Sequence, residues 1–190
     1  MFSALDLIDA PDADELAQVV RLLRAYRQWL RRRYKGMNDI VRSLFDPLAW
    51  EDELDNLATH YASPNAALLL ARGDGVPVGC VAFRPLEGDV CEMKRLFVHP
   101  QYQGHGVALR MIERLATIAG HRGYNVVRLE TGPRQTEAQA LYVRLELKRI
   151  DPYYACSPWS RENVLFYEGT PDGIAARAGA RLDARGRVAA

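Results

Sequence analysis

Two glycines stand where a strand gives way to a helix, in Gln103-Gly104-His105-Gly106-Val107-Ala108. Glycine lets the backbone approach a bulky anion, and the first free N–H groups of a helix point outward with a partial positive charge. The chemistry that suits this spacing is the binding of a phosphate or diphosphate. The same residues also serve as a plain tight turn, so the motif does not stand alone. It is not a dinucleotide fingerprint, because the third glycine position is Leu109, and no Gly-Lys-Ser/Thr of a P-loop follows. No His, Cys and Asp cluster has metal-ligand spacing, so no metal is expected. His99 and His105 read as strand-end and turn residues, not as catalysts.

The elements around the turn follow from periodicity and breakers. Glu92 to Val98 reads as a strand, ended by Pro100, which has no N–H for a ladder. From Ala108 the apolar residues fall at 108, 111/112, 115 and 118/119, which is helical spacing. Earlier in the chain, residues 3–9 read as a first strand. Pro11-Asp12 opens a helix whose apolar stripe is Leu16, Val19, Leu23, Tyr26 and Leu30, with Arg21, Arg24, Arg27, Arg31 and Arg32 on the other face. A second helical region spans 39–62, carries Leu44, Phe45, Trp50 and Leu54, and is interrupted by Pro47. Residues 66–71, 76–84 and 90–98 form an antiparallel meander, the first two joined at Gly73-Asp74-Gly75. Residues 125–131 return through a helix and so should run parallel to 90–98. A helix over 137–145 and strands at 148–150 and 163–167 close the domain. From Gly169 the composition turns to Ala, Gly and Arg, which reads as a mobile basic tail. The expected organisation is therefore a domain over 1–168 and a tail over 169–190.

The chain has 190 residues and is 48% hydrophobic, enough for one cored domain. Lys and Arg number 25 against 24 Asp and Glu, so charge argues for neither nucleic acid nor membrane partners. No apolar run approaches a membrane span, and residues 1–6 show neither the basic segment nor the apolar run of a signal peptide, so none is expected. Three cysteines without a C-x-x-C fit reduced thiols, and a cytoplasmic location is expected.

Taken in order, these elements resemble the GNAT superfamily of acyl-CoA-dependent N-acyltransferases. The resemblance covers roughly 3–168 and rests on Arg95 through Ala108, on Leu129-Glu130-Thr131 and on Ala138-Gln139-Ala140-Leu141-Tyr142. It implies an α/β (α+β) fold with a mixed sheet of about six or seven strands, splayed between strands 4 and 5 and flanked by about four helices. It implies acetyl-CoA as co-substrate, with pantetheine along Leu96, Phe97 and Val98. The diphosphate would lie on Gln103, Gly104, His105, Gly106, Val107 and Ala108, and Gln135 would make a further cofactor contact. Three positions depart from the pattern: Gln103 stands where arginine is commonest, Gln135 where asparagine is usual, and Glu146-Leu147 replaces Gly-Phe.

The implied reaction moves an acetyl group directly to a primary amine of a small molecule or a peptide N-terminus, in a ternary complex. An amine with pKa near ~10 needs a base, and a departing thiolate benefits from an acid. The resemblance makes Tyr142 the acid. It offers two bases, Glu92, six residues before Val98, and Glu130, twelve before Tyr142, and leaves the choice open. Tyr34, Tyr153 and Tyr154, with Trp50 and Trp159, are expected on an aromatic acceptor rim. The competing expectation is a catalytically weak acyl-CoA sensor of the same fold, and a homodimer is left open.

Overall fold

The computed structural model of this chain describes residues 2–9, 11–37, 47–61 and 64–188. Its strands are β1 (Leu5–Asp9), β2 (Ala67–Gly73), β3 (Val76–Glu87), β4 (Val90–Val98), β5 (Val126–Thr131), β6 (Lys148–Ile150) and β7 (Leu165–Gly169). Its helices are α1 (Ala13–Arg33), α2 (Pro47–Asp55), α3 (Leu57–Tyr61), α4 (Val107–His121), α5 (Thr136–Arg144), α6 (Pro158–Asn163) and α7 (Pro171–Val188). Of the helical region expected over 39–62, α2 and α3 are its second half; Leu44 and Phe45 lie outside the described residues.

The strands form one mixed sheet in the order β1-β2-β3-β4-β5-β7-β6, in which β4 and β5 pair in parallel and the other neighbours are antiparallel. Both faces are covered, which is why β2 reads as an unbroken apolar run. Ala67, Leu69 and Ala71 point into the core shared with α4, and Leu68 and Leu70 into the core shared with α1. Helix α1 begins with a reciprocal cap. The Asp12 side chain accepts from Glu15 N–H at 2.9 Å, and the Glu15 carboxylate accepts from Asp12 N–H at 3.0 Å.

Two features of β4 shape the site. First, β4 and β5 pair only at Val90–Val126, Cys91–Val127 and Glu92–Arg128. Beyond Glu92 the strands part, and the sheet splits between its fourth and fifth strands, as the resemblance implied. Second, β3 and β4 slip register between Cys80 and Ala82, so Arg95 and Leu96 together oppose Val81. Arg95 takes φ +60°, the left-handed region that costs a side-chain-bearing residue energy. The Glu53 carboxylate accepts two hydrogen bonds from its guanidinium, which lies 4.3 Å from the centre of the Trp50 ring. This clamp ties α2 to the bulge.

The mobile tail expected after Gly169 is not what the structure shows. Residues 171–188 form α7, packed along α4, with Ile174 and Ala178 buried. Small residues lie along this contact, Ala178 among them with no exposed surface. A Cβ on Gly179 would stand 2.8 Å from Oε1 of Glu113, and one on Gly120 3.4 Å from the Cβ of Pro171.

Candidate active site

Where β4 leaves β5, the chain turns through a short 3-10 segment, Pro100–Tyr102, into the glycine pair and α4. Gly104 and Gly106 take φ +83° and +80°, and Gly106 is the N-cap of α4. With no side chain there, the N–H groups of the first turn of α4 stay accessible. The Gln103 side chain does not reach outward: its Nε2 donates to the carbonyl of Val98 at 3.0 Å and braces the turn. His105 Nδ1 lies 2.9 Å from the carbonyl of Gln103, so the ring is held by turn backbone.

The turn opens into a cleft of about 790 Å3 along the split edge of β4. Leu96, Phe97 and Val98 form one wall, Gln103, Gly104, Gly106, Val107 and Ala108 of the turn another, without the expected His105, and Gln135, Ala138, Leu141 and Arg144 a third. Each β4 residue beyond Glu92 has lost its β5 ladder partner, which leaves main-chain groups on that edge for a ligand with amides of its own. Gln135 lines the cleft, although both ends of its amide are engaged. Its Oε1 accepts from Gly132 N–H at 2.8 Å and its Nε2 donates to the Tyr26 hydroxyl at 2.9 Å. Burial pushes the Tyr26 phenol up to about 12.

A smaller chamber of about 120 Å3 shares Tyr26, Leu96, Gln135 and Ala138 with the cleft and is otherwise lined by Lys94, Arg95, Glu130, Thr131 and Tyr142 among others. Tyr142 is buried and stacks at a tilt on Tyr167, centroids 5.7 Å apart. Burial raises its pKa well above the phenol range, so the hydroxyl holds its proton through neutral pH. The Glu130 carboxylate accepts a hydrogen bond from the Tyr154 hydroxyl. The Thr131 hydroxyl is buried without a hydrogen-bond partner among the described residues, unusual for a polar group at this depth.

Glu92 is placed otherwise. It is 2% exposed and does not line the chamber. Arg84 lies 2.9 Å from one oxygen, and Lys94 at 3.4 Å and the Tyr153 hydroxyl at 2.9 Å meet the other. Burial works to raise its pKa, but Lys94, Arg84 and the Tyr153 hydrogen bond outweigh it and hold the carboxyl below its usual range.

The expected aromatic rim is only partly formed. Tyr153 and Tyr154 stand side by side, rings edge-on at 5.4 Å, and both pack edge-on against Phe166. Tyr34 is instead a core residue, 1% exposed, whose hydroxyl accepts from Arg134 N–H at 3.1 Å and ties the end of α1 to the loop after β5. Trp50 is likewise buried, beneath Arg95. Lys94, Arg95, Thr131 and Tyr26 are not among the site residues expected from sequence, although Arg95 and Thr131 lie in the motifs that carry the resemblance and Tyr26 in the apolar stripe of α1. Thr131 carries the clearest signal, as a lone hydroxyl on the same face of an alternating strand as Val127 and Leu129. Among the described residues, no group of three or more His, Cys, Asp or Glu could hold a metal, and no helix is long and apolar enough to cross a membrane.

Comparison with known proteins agrees with this geometry. The family described as acetyltransferase (GNAT) matches residues 23–146. An uncharacterized N-acetyltransferase of Schizosaccharomyces pombe is 34% identical over 106 residues, 55% of this chain and 65% of that protein, so the chain spans less than two thirds of that relative. The PaiA N-acetyltransferase of Thermoplasma acidophilum, solved with coenzyme A, superposes with a TM-score of 0.66 at 14% identity over 88% of this chain and 99% of its own. YncA of Salmonella typhimurium, solved with its cofactor acetyl-CoA, gives 0.59 at 15% identity over 90% and 95%. At such identities the two structures bear on the fold alone. The matched segment contains the split of β4 from β5, the glycine turn and Tyr142, and the chain belongs to the acetyltransferase (GNAT) family.

Proposed function

We propose that this protein is an N-acetyltransferase that moves the acetyl group of acetyl-CoA directly to a primary amine. The observation that carries the reading is the continuity between the split edge of β4, the glycine turn and the chamber holding Tyr142 and Glu130. The cleft fits the cofactor. An unpaired strand edge suits the two amides of pantetheine, and side-chain-free turns at a helix N-terminus suit a diphosphate. When bound, acetyl-CoA supplies the acetyl group as an activated thioester.

The protein's own groups then manage two protons. Glu130 faces the chamber and takes the amine's proton, directly or through the Tyr154 hydroxyl and water. Tyr142 keeps its proton at neutral pH and gives it to the departing sulfur. Glu92 is the weaker candidate for the base, because two cations and a phenol hold it as a carboxylate and it does not line the chamber. It orders Lys94 and Tyr153 instead. Tyr153 and Tyr154 offer the acceptor two aromatic faces, which suits a small amine or a peptide N-terminus. Buried Cys80 and Cys91, each pushed up to about 12 by burial, fit a chain kept reduced in a cytoplasm.

The test is thiol release from acetyl-CoA with a panel of amines, polyamines, amino acids and peptide N-termini, alongside calorimetry with CoA. Amine-dependent thiol release is expected. CoA binding with no turnover on any amine would favour a sensor, and no CoA binding would end the reading altogether.

A further inference from the structure

We propose that the C-terminal helix completes the cofactor site, with Arg181 of α7 binding a phosphate group of coenzyme A opposite Arg144 of α5. The inference rests on the cleft being the CoA site. Arg181 and Ala184 line that cleft together with Gly104, Gly106 and Arg144. The placement follows from how α7 docks. Ile174 and Ala178 are buried against α4, and Leu182 continues the same stripe at helical spacing. Leu182 reaches the glycine turn, its Cδ2 3.4 Å from where a Cβ on Gly106 would stand. Arg181, one residue earlier, flanks that contact on the cleft side.

The charge balance sets these two arginines apart from three others that are paired. Arg177 pairs with Glu146 at 2.7 Å, Arg33 with Glu137 at 2.8 Å, and Arg114 with Asp9. Neither Arg144 nor Arg181 makes an ion pair among the described residues. The acidic side chain in the cleft wall, Glu137, is already matched by Arg33. Two uncompensated guanidinium groups thus share a cleft with the open N-terminus of a helix, and a phosphate is the anion whose geometry a guanidinium fork matches. The family match ends at residue 146, so this contact comes from a part of the chain outside it.

Calorimetry on the full chain with CoA and with dephospho-CoA tests the proposal, using the wild type and Arg181→Ala, Arg181→Gln and Arg144→Ala variants. Alanine is a strong helix former, so α7 should persist, which thermal melts check; the glutamine variant keeps the side chain's bulk without its charge. Roughly tenfold weaker CoA binding is expected on loss of the Arg181 charge, with an unchanged melting temperature. Loss for CoA but not for dephospho-CoA assigns the 3′-phosphate; equal loss for both assigns the diphosphate. Wild-type CoA affinity in both Arg181 variants overturns the proposal alone. Failure of the wild type to bind CoA overturns the reading of the cleft, and this inference with it.

Discussion

Tyr153 donates its phenolic hydrogen to Oε1 of Glu92 at 2.9 Å, across 61 positions of sequence, and so pins the loop after β6 to the buried start of the β4 split. Glu92 also meets Arg84 and Lys94, which makes it the hub of a structural cluster. Glu92→Gln should therefore act first on stability. A loss of about 1–2 kcal/mol at pH 7 is expected, kept modest because Arg84 stands half in solvent. The folded pKa lies below the unfolded value near ~4.3, so the carboxylate's contribution is whole above that value and fades as pH falls through the folded one. Melts from pH 7 to pH 3 should show the gap between wild type and variant narrowing in acid; a gap undiminished at pH 3 would mean the loss is not electrostatic.

Glu130→Gln should act on chemistry instead. Glu130 shares the chamber with Tyr142, and a general base contributes on the order of a hundredfold or more. kcat/KM should fall about a hundredfold near neutral pH, and the rising limb of the pH–rate profile should flatten. Glu92→Gln should keep that limb. If the two variants behave the other way round, the assignments are reversed.

Phenylalanine at 142 preserves the packing on Tyr167 and removes only the hydroxyl. The expected outcome is a kcat reduced at least about tenfold, with the Kd for CoA unchanged within a factor of about two. An unchanged kcat, measured where chemistry limits the rate, would remove Tyr142 as the acid.

Much of this is legible in the sequence. Pro100, the glycine pair and the 108–119 periodicity mark the β4-turn-α4 unit, because breakers and periodicity are local properties. The register slip at Arg95 was not legible. An arginine at φ +60° is held there by Glu53 and Trp50, more than 40 positions away in sequence. Tyr34 and Trp50 looked like rim residues because an amphipathic aromatic suits either a wet or a dry setting, and only the partner of the Tyr34 hydroxyl, Arg134 N–H, decides. The choice between Glu92 and Glu130 likewise depends on Arg84 and Tyr153 arriving from other elements. The C-terminal helix escapes sequence reading for a compositional reason: scarce apolar bulk looks like a tail, yet small residues also permit close helix packing.

That last point gives a further prediction. Ile174 is 5% exposed, sits in the core under α4 and packs so near Gly169 that a Cβ there would stand 3.2 Å from its Cγ1. Ile174→Ala leaves a cavity there and should cost about 2–4 kcal/mol, lowering the melting temperature by several degrees. Ala178, fully buried between the two helices, has no room for a larger group, so Ala178→Leu should destabilise by overpacking, about 1–3 kcal/mol. Removing residues 171–190 should do more than either, since it uncovers the apolar α4 surface that α7 hides. An unstructured tail would let all three changes pass without moving the melting temperature. Differential scanning calorimetry on the three variants therefore separates a docked helix from a tail, and it does so without any substrate.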